Sequence, residues 1–350
     1  MNKTAFARLL MDWYDQNKRD LPWRHTRDPY KIWLSEIILQ QTRVAQGLPY
    51  YLAFAKHYAT IKKLAAAPQD EVLRLWQGLG YYTRARNLHA CAKKVVAEYN
   101  GKFPDTYEEL LKLPGVGSYT AAAIASFAFN EPVAVVDGNV FRVLARVLGI
   151  EHDIASPAGK KFFFEKANEL IPKEKPAVFN QAIMEFGALQ CTPVNPFCKS
   201  CPLARLCVAN QQNLQTQLPV KLNRTTVKTR YFYYLVVRNG KQLLMRKRTT
   251  DDIWSGLYDF YLHEESKSLN TRKLSEKFQL TGSDRVSKEY KHILSHQKLV
   301  ARFIEVTEIN AKLKKQMDTA GLKSYTKKQV EHLPKPVLIS RYLQDVGYLQ

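Results

Sequence analysis

The sequence has little cysteine, few acidic side chains and no apolar run of membrane-spanning length. Five of its 350 residues are cysteine, and four of these lie in one short segment. That clustering does not suit a disulfide framework, and a chain of this length can bury a core without cross-links. The predicted amphipathic helix over residues 1–17 lacks the apolar core of a signal peptide. We therefore expect a cytoplasmic protein with no membrane partner.

Acidic residues are outnumbered by basic ones. The chain has 53 Lys and Arg against 32 Asp and Glu, which gives a net charge of +21 at pH 7. Such an excess usually serves a polyanion, and without a membrane segment the best candidate is a nucleic acid. A surface that is merely well solvated is the alternative.

The clustered cysteines have the spacing C-x6-C-x2-C-x5-C. They are Cys191, Cys198, Cys201 and Cys207. Zinc ribbons usually carry two C-x2-C pairs, whereas this segment has one and fits into a single loop. Closely spaced loop thiolates suit an iron–sulfur cluster, which we favour over zinc. The remaining Cys91 is expected to be a buried, small apolar side chain.

The hydrophobic periodicity and the residue types of the sequence change near residue 210. Apolar residues recur at helical spacing over residues 1–207, between short Pro and Gly breaks. A polar, basic stretch over residues 211–230 reads as a linker. Aromatic and β-branched residues then flank a hairpin turn at Asn239-Gly240. The sequence predicts a mainly α region followed by a small α+β domain.

A glycine-rich turn separates two predicted helices, Thr106–Lys112 and Tyr119–Phe129. Gly115 and Gly117 permit a tight turn, and the backbone N–H groups that lead into Ser118 suit a phosphate of nucleic acid. An ordinary turn in a helical bundle is the alternative, but the basic charge of the chain favours a DNA-binding hairpin.

Two carboxylates have contrasting sequence environments. Glu36 is the only acid in the apolar segment 31–40, so burial should raise its pKa and make it a usable general acid. Asp137 is a candidate N-cap of the helix Val140–Leu148, where the charged form is favoured. The alternatives are a structurally paired buried Glu and a simple cap. A neutral and an ionised acid together suit cleavage of a glycosidic bond.

Several motifs together resemble the adenine DNA glycosylase (MutY) branch of the helix-hairpin-helix superfamily. They are Leu21-Pro-Trp-Arg24, Trp33-Leu-Ser-Glu-Ile-Ile-Leu-Gln-Gln-Thr42, Gly78-Leu-Gly-Tyr-Tyr82, Leu113-Pro-Gly-Val-Gly117, Val136-Asp-Gly-Asn-Val140 and the four cysteines. The resemblance implies base excision repair, with removal of adenine mispaired with 8-oxoguanine and also with guanine. It implies one [4Fe-4S] cluster, held by the four cysteines.

The resemblance also assigns roles to residues. Glu36 protonates the flipped adenine at N7 and Asp137 stabilises the positive sugar, supported by Tyr119 and Asn139. Catalytic roles thus fall on four residues. The adenine pocket would contain Trp23, Arg24 and Glu185, while Gln41 and Tyr81 would wedge the duplex open around 8-oxoguanine.

Two rivals remain at this stage. An endonuclease III-like glycosylase/lyase for oxidised pyrimidines carries a Schiff-base lysine where this chain has Tyr119, which cannot form an imine. We therefore expect a monofunctional glycosylase. A non-catalytic iron–sulfur DNA-binding protein is the other rival, and the pair Glu36 and Asp137 argues against it.

The C-terminal region resembles the Nudix-like lesion-recognition domain of the same family. Asp252–Tyr258 carries one motif of that domain, but the acidic metal-binding box is missing after it, so we expect no nucleotide hydrolysis. His292–His296 resembles the loop that reads 8-oxoguanine. Ser295 and His296 would bond the lesion, while Leu294 replaces the usual Phe.

The expected organisation has three parts. Residues 1–210 form a helical catalytic region, 211–230 a linker and 231–350 the Nudix-like domain. The catalytic region divides into a six-helix subdomain (about 23–130, with the hairpin 113–118) and an iron–sulfur subdomain (about 1–22 and 131–210). The partner is double-stranded DNA with 8-oxoguanine:adenine mispairs, and we expect a monomer that associates with the nucleoid in a bacterium.

Overall fold

Contacts divide the chain into two compact units. The computed structural model describes residues 2–222, 227–249, 252–294, 296–309 and 311–349. A helical unit comprises Met1–Ala66 and Asn87–Arg224, and a strand-rich unit comprises Ala67–Arg86 and Thr225–Gln350. The strand-rich unit thus includes a segment from the N-terminal half. Within the described ranges, no helix is long and apolar enough to cross a membrane.

Helices account for most of the ordered N-terminal half and return near the C-terminus. In chain order they are α1 (Lys3–Asn17), α2 (Pro29–Leu39), α3 (Val44–His57), α4 (Ile61–Ala66), α5 (Gln69–Leu75), α6 (Thr83–Glu98), α7 (Tyr107–Leu110), α8 (Ser118–Phe129), α9 (Gly138–Leu148), α10 (Pro157–Leu170), α11 (Pro176–Leu189), α12 (Val208–Gln212), α13 (Thr271–Phe278), α14 (Ala311–Thr319), α15 (Lys327–His332) and α16 (Val337–Asp345).

The core of the helical unit positions four helices that carry predicted site residues. Phe6, Leu10 and Tyr14 recur every four residues and form the buried face of α1. This face packs on α11, which also packs on α9. Elsewhere α2 packs on α8, where Ala121, Ala122, Ala123 and Ala125 are fully buried and allow the two backbones to approach closely.

The strand-rich unit is built on a mixed sheet. Its strands are β1 (Lys228–Asn239), β2 (Gln242–Lys247), β3 (Tyr258–Asp259), β4 (Tyr261–Glu265), β5 (Arg285–Val286), β6 (Tyr290–Ile293), β7 (Gln297–Val306) and β8 (Lys323–Tyr325). β1 lies parallel to β7 and antiparallel to β2 and β4. β5 and β6 pair with β7, while β3 and β8 pair with β2, all antiparallel.

Helices cover both faces of this sheet. Tyr233 and Leu235 of β1 belong to a buried cluster with Leu274 of α13. Side chains alternate along a strand, so the intervening residues face the opposite side. There Phe303 of β7 stacks on Tyr342 of α16, with the ring centroids 3.9 Å apart. The result is an α+β layer structure with aromatic packing on one side.

The segment Ala67–Arg86 packs against the strands of this unit. Asp70 of α5 accepts hydrogen bonds from Lys247 Nζ (2.5 Å) and from Tyr258 OH (3.0 Å). Gln77 donates to Ser340 Oγ (3.2 Å). A segment far away in sequence is therefore held on the C-terminal domain by polar contacts at two places.

The predicted fold class is confirmed, with small shifts of element boundaries. β1 begins at Lys228, inside the predicted linker, and α12 reaches Gln212. The helix expected over Thr106–Lys112 is one turn, Tyr107–Leu110, capped by the Thr106 side chain. The predicted domain boundaries remain a prediction, because contacts group residues 67–86 differently.

Candidate active site

Glu36 lies in a buried position on α2 and is hydrogen-bonded to Tyr119. Its side chain is 6% exposed, and Tyr119 OH donates to its Oε2 at 2.6 Å. Burial raises the pKa of Glu36 to about 7; the Tyr119 hydrogen bond and the positive charge of Arg24 lower it, while Asp137 raises it. Burial raises the pKa of Tyr119 well above its ordinary value. The phenol therefore stays protonated and acts as a hydrogen-bond donor to Glu36. Glu36 can therefore both hold and release a proton near neutral pH.

Asp137 is the N-cap of α9, as the sequence predicts. Its Oδ1 accepts hydrogen bonds from the backbone N–H groups of Asn139 (2.9 Å) and Val140 (2.8 Å). The Asn139 side chain donates to Oδ2 at 2.8 Å. The sequence predicts that the charged form of Asp137 is favoured, but burial raises the pKa of Asp137 above its ordinary value, although these bonds and Arg142 act in the other direction.

Asn139 is itself fixed by Arg142, one turn along α9. Arg142 Nη2 donates to Asn139 Oδ1 (2.8 Å) and to the carbonyl of Gly187 (2.7 Å), while Nε donates to the carbonyl of Cys191 (2.7 Å). α11 approaches α9 closely at this point. A Cβ on Gly187 would lie only 2.6 Å from Asn139 Cβ, so the position requires glycine. The side chain that holds Asp137 is thus tied to the cysteine loop.

One cavity brings most of the predicted site residues together. Its volume is about 180 Å³. The residues at its wall that the sequence predicted are Trp23, Arg24, Glu36, Tyr119, Asp137, Asn139 and Glu185. The helical unit therefore gathers the proposed acid, the proposed aspartate and the proposed base pocket around one space.

Glu185 of α11 forms a charged group with two arginines in this cavity. Arg19 Nη2 and Arg24 Nη2 donate to Glu185 Oε2 at 2.6 and 2.7 Å, and each arginine also contacts Oε1. These hydrogen bonds outweigh burial and lower the pKa of Glu185 to about 2. Glu185 is therefore an ionised acceptor beside Glu36, which favours its neutral form. Arg19 was not predicted, and only its position just before Leu21-Pro22 could have drawn attention to it.

Gln41 does not line this cavity but follows directly on α2. It is exposed and has a φ of 54°, in the left-handed region that non-glycine residues rarely adopt. Such a conformation persists where the surrounding structure imposes it. The loop therefore presents the Gln41 side chain to solvent in a fixed backbone geometry.

The glycine-rich hairpin has the predicted geometry of a tight turn. Gly115 has a φ of 71°, and a Cβ there would lie 2.6 Å from Asn87 Cβ. α8 begins at Ser118, and no side chain caps it at Gly117. Around Gly117 there is open space within 4 Å of a Cβ position. The hairpin thus leaves room for a ligand at the N-terminus of an Ala-rich helix.

All four clustered cysteines line one cavity in the helical unit. They are free thiols, as is Cys91, which is buried. Across the described residues, no group of three or more His, Cys, Asp or Glu side chains could hold a metal ion. Four thiolates are the ligand set of a [4Fe-4S] cluster, and these four thiols share one cavity.

The cysteine loop contacts a buried arginine of the neighbouring helix α9. Arg146 of α9 donates to Cys191 Sγ (3.4 Å) and to the carbonyl of Thr192 (2.7 Å). Burial raises the pKa of Cys201 to about 12, so this thiol needs a cationic centre to become a thiolate ligand. The donor set therefore fits an iron–sulfur cluster.

The strand-rich unit has a cavity of its own, of about 340 Å³. Of the predicted residues it contains Tyr81, Leu294 and His296, whereas Ser295 lies outside the described residues. Trp254, which the sequence analysis did not single out, forms part of the wall. Its ring meets that of His292 edge to face, with the centroids 5.6 Å apart. The walls of this cavity are mainly aromatic and apolar.

Comparison with known proteins decides the family. A model of the HhH-GPD superfamily of base excision DNA repair proteins matches residues 34–173, and a NUDIX domain model matches residues 233–345. An adenine DNA glycosylase of Buchnera aphidicola subsp. Baizongia pistaciae (strain Bp) is 36% identical over 301 residues, which cover 85% of this chain and 84% of that protein. The chain belongs to the adenine DNA glycosylase family.

Other adenine DNA glycosylases match mainly the helical part. The Homo sapiens protein is 48% identical over 224 residues, which cover 61% of this chain but 41% of that protein. The Rattus norvegicus protein is equally similar, over 43% of its length. The predicted enzyme class, a DNA glycosylase of base excision repair, is confirmed.

Solved structures show the same fold in the catalytic part. A thermostable thymine-DNA glycosylase has a TM-score of 0.56 and 32% identity, covering 60% of this chain and 97% of its own. A non-covalent endonuclease III–DNA complex has a TM-score of 0.52 and 25% identity, covering 61% and 99%. These solved structures show the fold of the catalytic part. The enzyme class is indicated by the relatives that are named adenine DNA glycosylase.

Proposed function

We propose that this glycosylase removes adenine paired with 8-oxoguanine, and also with guanine, by acid-assisted hydrolysis of the N-glycosidic bond. The observation that carries the proposal is the pair Glu36 and Asp137 at one cavity, each bonded to a different partner. Glu36 accepts a hydrogen bond from Tyr119, while Asp137 accepts three. Because hydrogen bonds to a carboxylate favour its charged form, Glu36 holds the proton of the pair.

In the proposed reaction Glu36 gives its proton to N7 of the flipped adenine. The bond between the sugar C1′ and N9 breaks, and its electron pair leaves with the base. Asp137 stabilises the positive sugar, or bonds to it transiently, and Asn139 holds the carboxylate in place. Water then adds to C1′, and its proton passes to the Glu36 carboxylate.

The base pocket is proposed to contain Trp23, Arg24 and Glu185, with Arg19 added from the structure. An ionised Glu185 can accept a hydrogen bond from the exocyclic amino group of adenine. Arg19 and Arg24 hold that carboxylate in one orientation. Such a site penalises a base that offers no donor there, because the carboxylate would be left unpaired.

Recognition of the rest of the duplex is proposed to use three further groups. Gly115, Gly117 and Ser118 offer backbone N–H groups to a phosphate at the start of α8. Gln41 and Tyr81 fill the space left by the extruded base. Ser295 and His296 bond the 8-oxoguanine. The proposed partner is thus a mispaired duplex, bound by a monomer.

Cys191, Cys198, Cys201 and Cys207 are proposed to hold one [4Fe-4S] cluster. When bound, the cluster supplies a cationic centre that fixes the loop and its basic residues Lys199 and Arg205 for contact with DNA. Ultraviolet–visible absorption and metal analysis of the purified protein test this assignment. A colourless protein that contains zinc would contradict it.

The activity is tested with one assay. A duplex with adenine opposite 8-oxoguanine is incubated with protein and treated with alkali, and strand cleavage at the adenine is measured. Wild type should cleave and Glu36→Gln should be inactive, whereas Glu165→Gln, on an exposed face of α10, should behave as wild type. Activity that survives Glu36→Gln would remove the proposed acid.

The monofunctional assignment is tested by borohydride trapping. Because Tyr119 occupies the position of the Schiff-base lysine, covalent capture on an abasic intermediate should be negligible. An endonuclease III enzyme serves as the positive control. Efficient trapping of the wild-type protein would overturn this assignment.

A further inference from the structure

The segment that carries Tyr81 belongs by its contacts to the strand-rich unit. The HhH-GPD model includes this segment in residues 34–173, yet Ala67–Arg86 clusters with Thr225–Gln350. Asp70 anchors it to Lys247 and Tyr258, as described above. The side chain proposed to wedge the duplex therefore belongs to the same compact unit as the domain proposed to read the lesion.

Tyr81 is held in a fixed backbone geometry. Its φ is 49°, and Gly78 and Gly80 before it also have positive φ. Trp76 Nε1 donates to the carbonyl of Gly80 at 2.9 Å. The Arg84 guanidinium lies over the Tyr81 ring, 5.5 Å from its centroid. The loop therefore presents Tyr81, which is 42% exposed, with little freedom to rotate.

Trp254, on another wall of the same cavity, is also in the left-handed region. Its φ is 64°, which is a genuine outlier for a bulky side chain, and the residue is 7% exposed. Arg248 Nε donates to the carbonyl of Ile253 at 3.2 Å. Arg230 donates twice to Asp252, at 2.9 and 2.8 Å. Arg230 and Arg248 thus hold the residues just before Trp254 in place by hydrogen bonds.

Arg86 connects the two strained loops. Its Nη1 donates to the carbonyl of Ser255 at 2.7 Å, and its Nη2 donates to Thr83 Oγ1 at 2.9 Å. Ser255 follows Trp254 directly, and Thr83 is the first residue of α6, two residues after Tyr81. The approach is close, since a Cβ on Gly256 would lie 3.2 Å from Leu73 Cδ1.

We propose that Arg86 is a positioning residue that couples the Trp254 wall of the cavity to Tyr81. The base opposite adenine contacts this cavity and affects the position of the Trp254 loop. Through its hydrogen bonds to both loops, Arg86 links that position to the position of Tyr81, the wedge side chain. Opening of the duplex therefore depends on the identity of that base. The inference rests on the proposed roles of Tyr81 and of the lesion cavity, and it adds a link between them.

The test compares excision of adenine opposite 8-oxoguanine with excision opposite guanine. Single-turnover rates are measured at saturating protein for wild type, Arg86→Met and the matched control Arg74→Met, which removes a positive charge from exposed α5. Arg86→Met should lower the preference for 8-oxoguanine roughly 10- to 100-fold, the effect of losing one hydrogen bond made by a charged group. Arg74→Met should leave the preference unchanged.

A double-mutant cycle separates coupling from a general loss of structure. Trp254→Leu should lower the preference as Arg86→Met does, and the double variant should add little to either. A fluorescent base beside the mispair should report reduced unstacking in the same variants. Equal losses on both duplexes, or fully additive effects, would overturn the coupling.

Loss of lesion recognition and loss of coupling give different results in these assays. A wild-type protein without preference between the two duplexes would contradict the proposed lesion recognition. A wild-type preference that persists unchanged in Arg86→Met would contradict the coupling alone. Tyr81→Leu gives the third reference, because normal unstacking in that variant would remove the wedge role.

Discussion

Glu36 shows how opposing influences set the pKa of one residue. Burial among apolar side chains of α2 raises the pKa, and the hydrogen bond from Tyr119 limits the rise to about 7. A fully apolar site would hold the proton too tightly to release it, and an exposed site would not hold it at neutral pH. The hydrogen bond from Tyr119 therefore adjusts the pKa of Glu36, the proposed acid.

Tyr119→Phe should shift the pH dependence of excision to higher pH. The hydrogen bond favours the charged carboxylate, so its removal raises the pKa of Glu36, by about one unit for a bond of ordinary strength. The limb on which the rate falls as Glu36 loses its proton should move upward accordingly. Single-turnover rates between pH 5 and 9 measure this, with Tyr107→Phe as a control; an unmoved limb would contradict it.

Glu36→Gln should stabilise the protein above pH 7. In the unfolded chain Glu36 loses its proton near its ordinary pKa of 4.5, whereas in the fold it does so at about 7. Stability therefore falls as the pH rises between these values, by on the order of 3 kcal/mol once both states are ionised. Gln cannot ionise, so the gain should appear in urea unfolding at pH 8 and be absent at pH 4.

Residue patterns revealed some site members and concealed others. The buried position of Glu36 and the N-cap position of Asp137 could be predicted from the sequence pattern, whereas their catalytic roles came from the pair and the family resemblance. Arg19 could not, because it meets Glu185 across 166 positions of sequence. Gln41 was chosen only through the family resemblance, since a left-handed backbone has no clear signature in a residue that is not glycine.

At the scale of elements, α9 connects the aspartate to the cysteine loop. Its first residues hold the Asp137 carboxylate, and its buried arginines Arg142 and Arg146 donate to carbonyls around Cys191. Helix α9 thus links the position of the Asp137 carboxylate to that of the cysteine loop. An arginine that donates to several carbonyls cannot shift without leaving one of them unpaired.

Arg142→Leu should lower both stability and activity. It leaves the buried carbonyls of Gly187 and Cys191 without this donor, at a cost of about 2–4 kcal/mol in the free energy of unfolding. Asn139 loses its fixed orientation, so excision should fall even at temperatures where the variant is folded. Thermal unfolding and single-turnover rates measure the two effects; wild-type excision by the folded variant would contradict the orienting role of Asn139.

At the scale of the whole molecule, the sequence predicts the net charge and the order of the two parts, but not which segments form each compact unit. The excess of basic residues was evident from composition, and so was a helical part followed by a strand-rich one. The placement of Ala67–Arg86 in the strand-rich unit was not. It depends on contacts such as Lys247 with Asp70, which join residues of ordinary surface character.

The net charge of +21 predicts a steep salt dependence of DNA binding. If six to ten phosphates are contacted, affinity for duplex DNA should fall roughly 10³- to 10⁵-fold between about 50 and 200 mM salt. Once the complex is saturated, the excision rate should change little, because salt then no longer limits binding and the proposed acid Glu36 is buried. Titration and single-turnover assays across salt concentrations measure both; a salt-independent affinity would contradict a phosphate interface.

The left-handed backbone at Gln41 has a consequence for protein engineering. Gly or Asn adopts this conformation at lower cost, by about 1 kcal/mol, so a selection for heat resistance would favour either replacement. Both replacements would discard the side chain that the loop holds out to solvent. Under the proposed wedge role of Gln41, a more robust variant obtained in this way would remain well folded and become a poorer repair enzyme, so thermal screening of this chain needs an activity filter at that position.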